Sequence, residues 1–176
     1  MNTDHLVMTI GVVVVFLALL VAVFVLGKKK RETEQYDERQ IMIRGKGYKI
    51  SFMTVIAMLF LYGGVLYAYT KDIVAPQFVV MAIAFLGILV FIIYCIFQDA
   101  YVQVGQSPKG WVFLVLFIAA INTISAFQST ERGFDKDGIA TAFSMNVLLV
   151  VFFCSILIAM LVKKVIDWRG KRHEES

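Results

Sequence analysis

Reaction centres are scarce in this sequence. Its 176 residues hold two cysteines and two histidines. Cys95 and Cys154 both sit inside apolar runs, which leaves no disulfide framework and no metal-ligand spacing. His5 and His173 lie in opposite tails. Most nucleophilic, acid–base and metal chemistry is thereby excluded, and no catalytic, cofactor-binding or metal site is expected. Charge is also sparse, at 17% of residues against about 25% in soluble domains. Hydrophobic residues make up 60%, with a mean hydropathy of +0.79. A soluble globule of this length has too little interior to hide so much apolar surface, so the composition indicates a membrane protein.

Five apolar stretches are long enough to cross a hydrocarbon core of about 30 Å at 1.5 Å per residue. They are Leu6–Leu26, Ile50–Tyr69, Phe78–Phe97, Trp111–Phe127 and Ala140–Val162, and none contains Asp, Glu, Lys, Arg or His. The expected fold is an all-α, polytopic membrane bundle of five transmembrane helices. Its organisation would be an N-terminal anchor span with a basic segment (1–49), then a four-span bundle with a basic tail (50–176). Of the 17 Lys and Arg residues, 14 fall in the segment 27–49, at Lys109 or in the tail after Val162. Only Lys71, Arg132 and Lys136 fall on the other side. The positive-inside rule then puts the N-terminus outside and the C-terminus in the cytoplasm of a multi-pass cell-membrane protein. The first span reads as an uncleaved anchor, because no cation precedes it and no small-residue cleavage site follows it.

The loops carry most of the polar chemistry. The stretch Arg31–Arg44 reads as a cytoplasmic helix that extends span one and ends at Gly45 and Gly47. Lys28, Lys29, Lys30 and Arg31 either contact anionic lipid headgroups or act as a stop-transfer cluster that sets topology. The RGKG run lacks Walker A spacing and follows no strand, so it is not a phosphate loop. In the second loop, Asp99 and Tyr101 lie just past span three. An acid at a helix C-terminus opposes the macrodipole, so Asp99 either finds a cation, with Arg39, Arg44 and Lys46 as candidates, or stays solvated among headgroups.

The run DERQ at 37–40, with RGKGYK at 44–49 and DAY at 99–101, resembles a group of small uncharacterised multi-pass membrane proteins of bacteria, mainly Gram-positive ones. The resemblance covers about 70 residues. It implies a family and no activity. It singles out Asp37, Glu38, Arg39, Gln40, Arg44, Lys46, Asp99 and Tyr101 as a candidate cytoplasmic interaction surface.

Within the spans, the usual intramembrane marker of an ion path or proton relay is missing, because no ionisable residue of that kind occurs there. Small and weakly polar residues line up at helical spacing, as helices that approach closely require. In span two these are Thr54, Ala57, Leu61, Gly64 and Ala68, and Gly63-Gly64 reads as a close-packing site. In span four they are Val115, Ile118, Ala119, Asn122, Ser125 and Ala126. Asn122 and Asn146 have similar depths in spans joined by a short loop, which makes them candidates for an interhelical hydrogen bond. Tyr67, Tyr69, Phe78 and Phe134 fall near the outer interface, and Tyr48, Tyr101, Trp111 and Trp168 near the inner one, as aromatic belts do.

Three function classes stay open. The first is a non-enzymatic accessory, sensory or regulatory protein that presents its charged cytoplasmic face to a membrane or cytoplasmic protein partner. The second is a transport subunit working as an oligomer or beside another permease. The third, an intramembrane enzyme, would need a nucleophile with a base or a metal cluster, and neither Cys95 nor Cys154 has a histidine near it in sequence. The expected partners are the bilayer with its anionic headgroups and an unidentified protein; nucleic acid is not among them.

Overall fold

The computed structural model describes residues 36–102 and 109–174, with side chains through residue 170. Span one and the cluster Lys28–Arg31 lie outside the described residues. From Asp37 onward the chain forms one unit, built almost wholly of helix. Helix α1 covers Glu38–Leu61 and passes through a π-helical turn, Tyr62–Leu66, into the short α2, Tyr67–Thr70. Helix α3 covers Pro76–Phe97, α4 covers Lys109–Gln128 and α5 covers Ala142–Glu174. Four stretches (Glu38–Thr70, Pro76–Phe97, Lys109–Gln128 and Ala142–Gly170) are long and apolar enough to span a membrane.

Local sequence accounts for the helix boundaries. Pro76 opens α3 at a first-turn position, where its missing N–H costs nothing. Thr141 caps α5: its Oγ1 accepts the backbone N–H of Ser144 at 3.4 Å. Between α4 and α5, strand β1 (Asp135–Lys136) pairs antiparallel with β2 (Ile139–Ala140). The two-residue turn is Asp137-Gly138, with φ of 55° and 74°. That is the primed turn geometry that an Asp-Gly pair favours.

One expected boundary is wrong. Helix α1 does not end at Gly45 or Gly47; it starts at Glu38 and runs through both glycines. The described part of the first loop therefore belongs to the helix of span two. The reason is packing. A Cβ on Gly47 would lie 3.0 Å from Tyr94 and 3.1 Å from Phe91 on α3, so this glycine lets two helices approach instead of stopping one.

The main packing contacts run from α1 to α3, from α3 to α5 and from α5 to α4. The α1–α3 seam is made of small residues. Gly47, Ser51 and Val55 recur one turn apart, and Ser51 Oγ donates to the Gly87 carbonyl at 2.6 Å. A Cβ on Gly87 would collide with Val55. The span-two stripe expected to pack is turned the other way: Ala57, Leu61, Gly64 and Ala68 are exposed. Among the described residues nothing stands within 4 Å of a Cβ built on Gly63 or Gly64, so that pair packs against none of them. The span-four stripe does face inward, with Val115, Ala119 and Ala126 buried. Deeper in the bundle, Ile96, Val115, Phe152, Ile156 and Ala159 form the apolar cluster.

The outer surface is apolar. Phe60 and Phe127 are each 78% exposed and Phe113 is 71% exposed. Large apolar side chains turned outward along whole helices are tolerable in hydrocarbon and not in water.

Candidate functional site: the basic end of the bundle

Three segments converge where α1 begins and α3 terminates, beside the Lys163–Asp167 turn of α5. The centre is the C-terminus of α3. Two backbone bonds close it, Ala100 N–H to Cys95 O at 2.8 Å and Asp99 N–H to Ile96 O at 3.3 Å. Asp99 between them has φ of 56°. This is a Schellman ending with an aspartate at the left-handed position that glycine usually holds. Ala100 is fully buried beneath it.

Three carbonyls of and just past that turn are satisfied from α1. Gln40 Nε2 lies 3.0 Å from Asp99 O and 3.2 Å from Val102 O. Arg44 Nη1 donates to Ala100 O at 3.3 Å. The Arg44 guanidinium also sits 5.6 Å from the centroid of Phe91, and Tyr48 stacks on the same phenyl group at 4.2 Å. Helix C-terminal carbonyls attract cations and N–H donors, so the polar residues of α1 serve the backbone of the turn.

The Asp99 carboxylate goes elsewhere. Asp99 Oδ2 accepts a hydrogen bond from Lys163 Nζ on α5 at 2.9 Å, and the same Nζ reaches Asp167 Oδ1 at 2.9 Å. The expectation of a cationic partner holds, but the partner comes from the last helix and not from the 39–46 segment. Lys163 is largely covered, with 16% of its side chain exposed, against 60% for Asp99. Tyr101 stands beside this cluster. Burial pushes its phenol above the ordinary tyrosine value, with Asp99 and Asp167 adding to the rise and Lys163 opposing it.

Of the residues singled out from sequence, the fold brings Gln40, Arg44, Asp99 and Tyr101 to one place. It leaves Asp37, Glu38, Arg39 and Lys46 exposed beside them on α1. Sequence reasoning missed Lys163 and Asp167. The available signal was their i, i+4 spacing just past the last apolar run. The candidate amide pair is not formed: Asn122 Nδ2 donates to Ile118 O of its own helix at 2.8 Å, and no hydrogen bond joins it to Asn146. A local carbonyl one turn back is always in reach of a helical Asn, whereas an interhelical partner demands matching rotation as well as depth.

Next to the Lys163 cluster, an open cleft of about 730 Å³ separates the start of α4 from the end of α5. It is lined by the polar and charged side chains of Asp99, Tyr101, Lys109, Lys163, Lys164, Asp167 and Trp168 and by the apolar side chains of Val112, Phe113, Leu116 and Met160. Among the described residues there is no group of three or more His, Cys, Asp or Glu placed to hold a metal ion. Compared with protein-family profiles, curated proteins and solved structures, the chain finds no match.

Proposed function

We propose that this chain is a non-enzymatic accessory, sensory or regulatory membrane protein whose basic end is a docking platform for a protein partner. In this reading five spans cross the cell membrane, the N-terminus is outside, and the platform faces the cytoplasm. One observation carries the proposal. The start of α1, the end of α3 and the Lys163 turn of α5 are tied together by Gln40, Arg44, Asp99 and Lys163, and exposed charges of both signs (Glu38, Arg39 and Lys46) stand on the held surface. Side chains fixed in this way lose little freedom when a partner binds.

Two experiments test it. Reporters after Ser176 and between Gln40 and Ile41 should read cytoplasmic, and one between Gly133 and Phe134 should read outside; a cytoplasmic signal at Gly133 refutes the orientation. Affinity purification of the full chain in mild detergent should retain a partner that the charge-reversed variant Glu38→Lys/Arg39→Glu loses. Identical copurifying proteins from both chains would refute the platform.

A further inference from the structure

At the opposite end of α1 from the basic platform, α geometry stops at Leu61, and the Tyr67 N–H bonds to the Tyr62 carbonyl five residues back. Three local preferences fail together in this turn. Tyr62 is buried at 7% exposure, yet its hydroxyl has no hydrogen-bond partner among the described residues. A polar group hidden in hydrocarbon without a partner is costly. Gly63 and Gly64 are weak helix formers, and a Cβ on either would meet nothing within 4 Å among the described residues, so packing against those residues does not require them. The turn itself is π-helical, a geometry found mostly as single-turn bulges and frequently at functional sites. Where several local rules break at one place, a functional or strained element is expected.

One contact favours the π register. The rings of Tyr62 and Tyr67 meet edge to face, with centroids 6.0 Å apart and planes at 89°. Five residues of α-helix turn the chain by about 500°, which would leave these two side chains about 140° apart. The wider π-turn brings Tyr67 back to the side of Tyr62.

We infer that Tyr62–Leu66 is a conformational switch between a π-helical and an α-helical turn. In the π state the two rings touch and the Tyr62 hydroxyl has no partner. In the α state the Tyr67 N–H moves to the Gly63 carbonyl, and Tyr67–Thr70 turns by about 100° and advances about 1.5 Å. Tyr67 then leaves Tyr62 and opens its hydroxyl to a hydrogen-bonding partner from the membrane. Each state makes one interaction and gives up the other, which keeps the two close in energy. The motion is confined to the far end of the span. Upstream, Ser51 and Val55 lock α1 on Gly87 of α3. Downstream, the irregular link from Lys71 to Ala75, with Lys71 and Ile73 exposed, absorbs the turn. The switch therefore works whether or not a partner docks at the basic end.

The test is fluorine NMR of the full chain in lipid nanodiscs, labelled with fluorotyrosine, with the Tyr62 signal identified by its loss in Tyr62→Phe. Tyr62 should give two signals, or one broad signal that splits on cooling. Tyr67→Leu removes the edge contact without touching the backbone, so it should raise the ratio of α to π state about threefold or more. Gly64→Ala should move the ratio in the same direction, because alanine favours α geometry. Tyr69→Leu, at a site 74% exposed and outside the ring pair, should leave the ratio unchanged. Deleting Val65 removes the extra residue of the turn and should leave only the signal that Tyr67→Leu strengthens. If that chain does not fold, the substitutions decide by themselves. A single sharp Tyr62 signal at every temperature in the parent would overturn the switch. So would equal shifts from Tyr67→Leu and Tyr69→Leu, or a folded deletion variant that keeps both signals.

Discussion

Substituting Gly87 with alanine probes the seam that holds α1 against α3. The added methyl has no room, because its position is occupied by Val55 Cγ2, and the Ser51 hydroxyl and carbonyl lie 3.5 and 3.7 Å away. Valine in a helix has essentially one side-chain rotamer, so Val55 cannot swing clear, and the two helices must separate or twist. Overpacking of this kind costs about 1–3 kcal/mol. Separation also weakens the 2.6 Å bond from Ser51 to the Gly87 carbonyl, and such bonds average about 0.6 kcal/mol between membrane helices. Against this, alanine gains up to about 1 kcal/mol over glycine in a helix interior. The net expectation is a loss of about 1–2 kcal/mol, read as a shifted unfolding midpoint when the protein is titrated with SDS in mixed micelles. Val55→Ala removes the colliding methyl and by itself costs about 1 kcal/mol. The double variant should then be more stable than the sum of the singles predicts, by at least about 1 kcal/mol. Additive losses, or a Gly87→Ala protein more stable than the parent, would refute the close approach.

Three further outcomes follow from the basic end. At Asp99 the left-handed backbone favours glycine over alanine, so Asp99→Gly should be more stable than Asp99→Ala by about 1 kcal/mol, measured in the same SDS titration; equal stabilities would mean the turn is not held in that conformation. Gln40→Ala withdraws the donor shared by Asp99 O and Val102 O, so amide hydrogen exchange should quicken across residues 99–102 and not at the Asp137-Gly138 turn, with a stability loss of about 1 kcal/mol. Tyr101 holds its proton more tightly in the folded chain than in the unfolded one, so its contribution to stability is complete below the unfolded value, near 10, and is lost as pH rises through the higher folded value. The tyrosinate absorbance difference between the parent and Tyr101→Phe should accordingly have its midpoint above that of an ordinary tyrosine, and a midpoint at or below it would contradict the burial.

Much of the architecture is written in local composition. Apolar runs of membrane length, free of charge and bounded by cations, determine that these segments form long helices, because unpaired backbone in hydrocarbon leaves few alternatives. The inward face of α4 was legible as well, since Val115, Ala119 and Ala126 recur at helical spacing. Rotation and pairing were not. Gly47 read as a helix end because glycine is a weak helix former. Only the neighbouring Tyr94 and Phe91 show that its missing side chain is what lets α3 approach. The same spacing logic chose a stripe on α1 that does not face α3, because a repeat of small residues says which residues share a face and nothing about which face meets a given neighbour. Gly47 and Ser51, four residues apart, were the small-residue signal on the right side.

Asp99 draws the same line at the candidate site. That an acid at the end of α3 would gain from a cation follows from helix electrostatics and needs no structure. That the cation is Lys163, some 64 residues away, follows from the turn at Asp99 and from the packing of α5 on α3. Sequence determined the helices and the charge at their ends. Tertiary packing decided which ends meet, because contact between distant segments depends on helix rotation and depth together, and composition encodes neither.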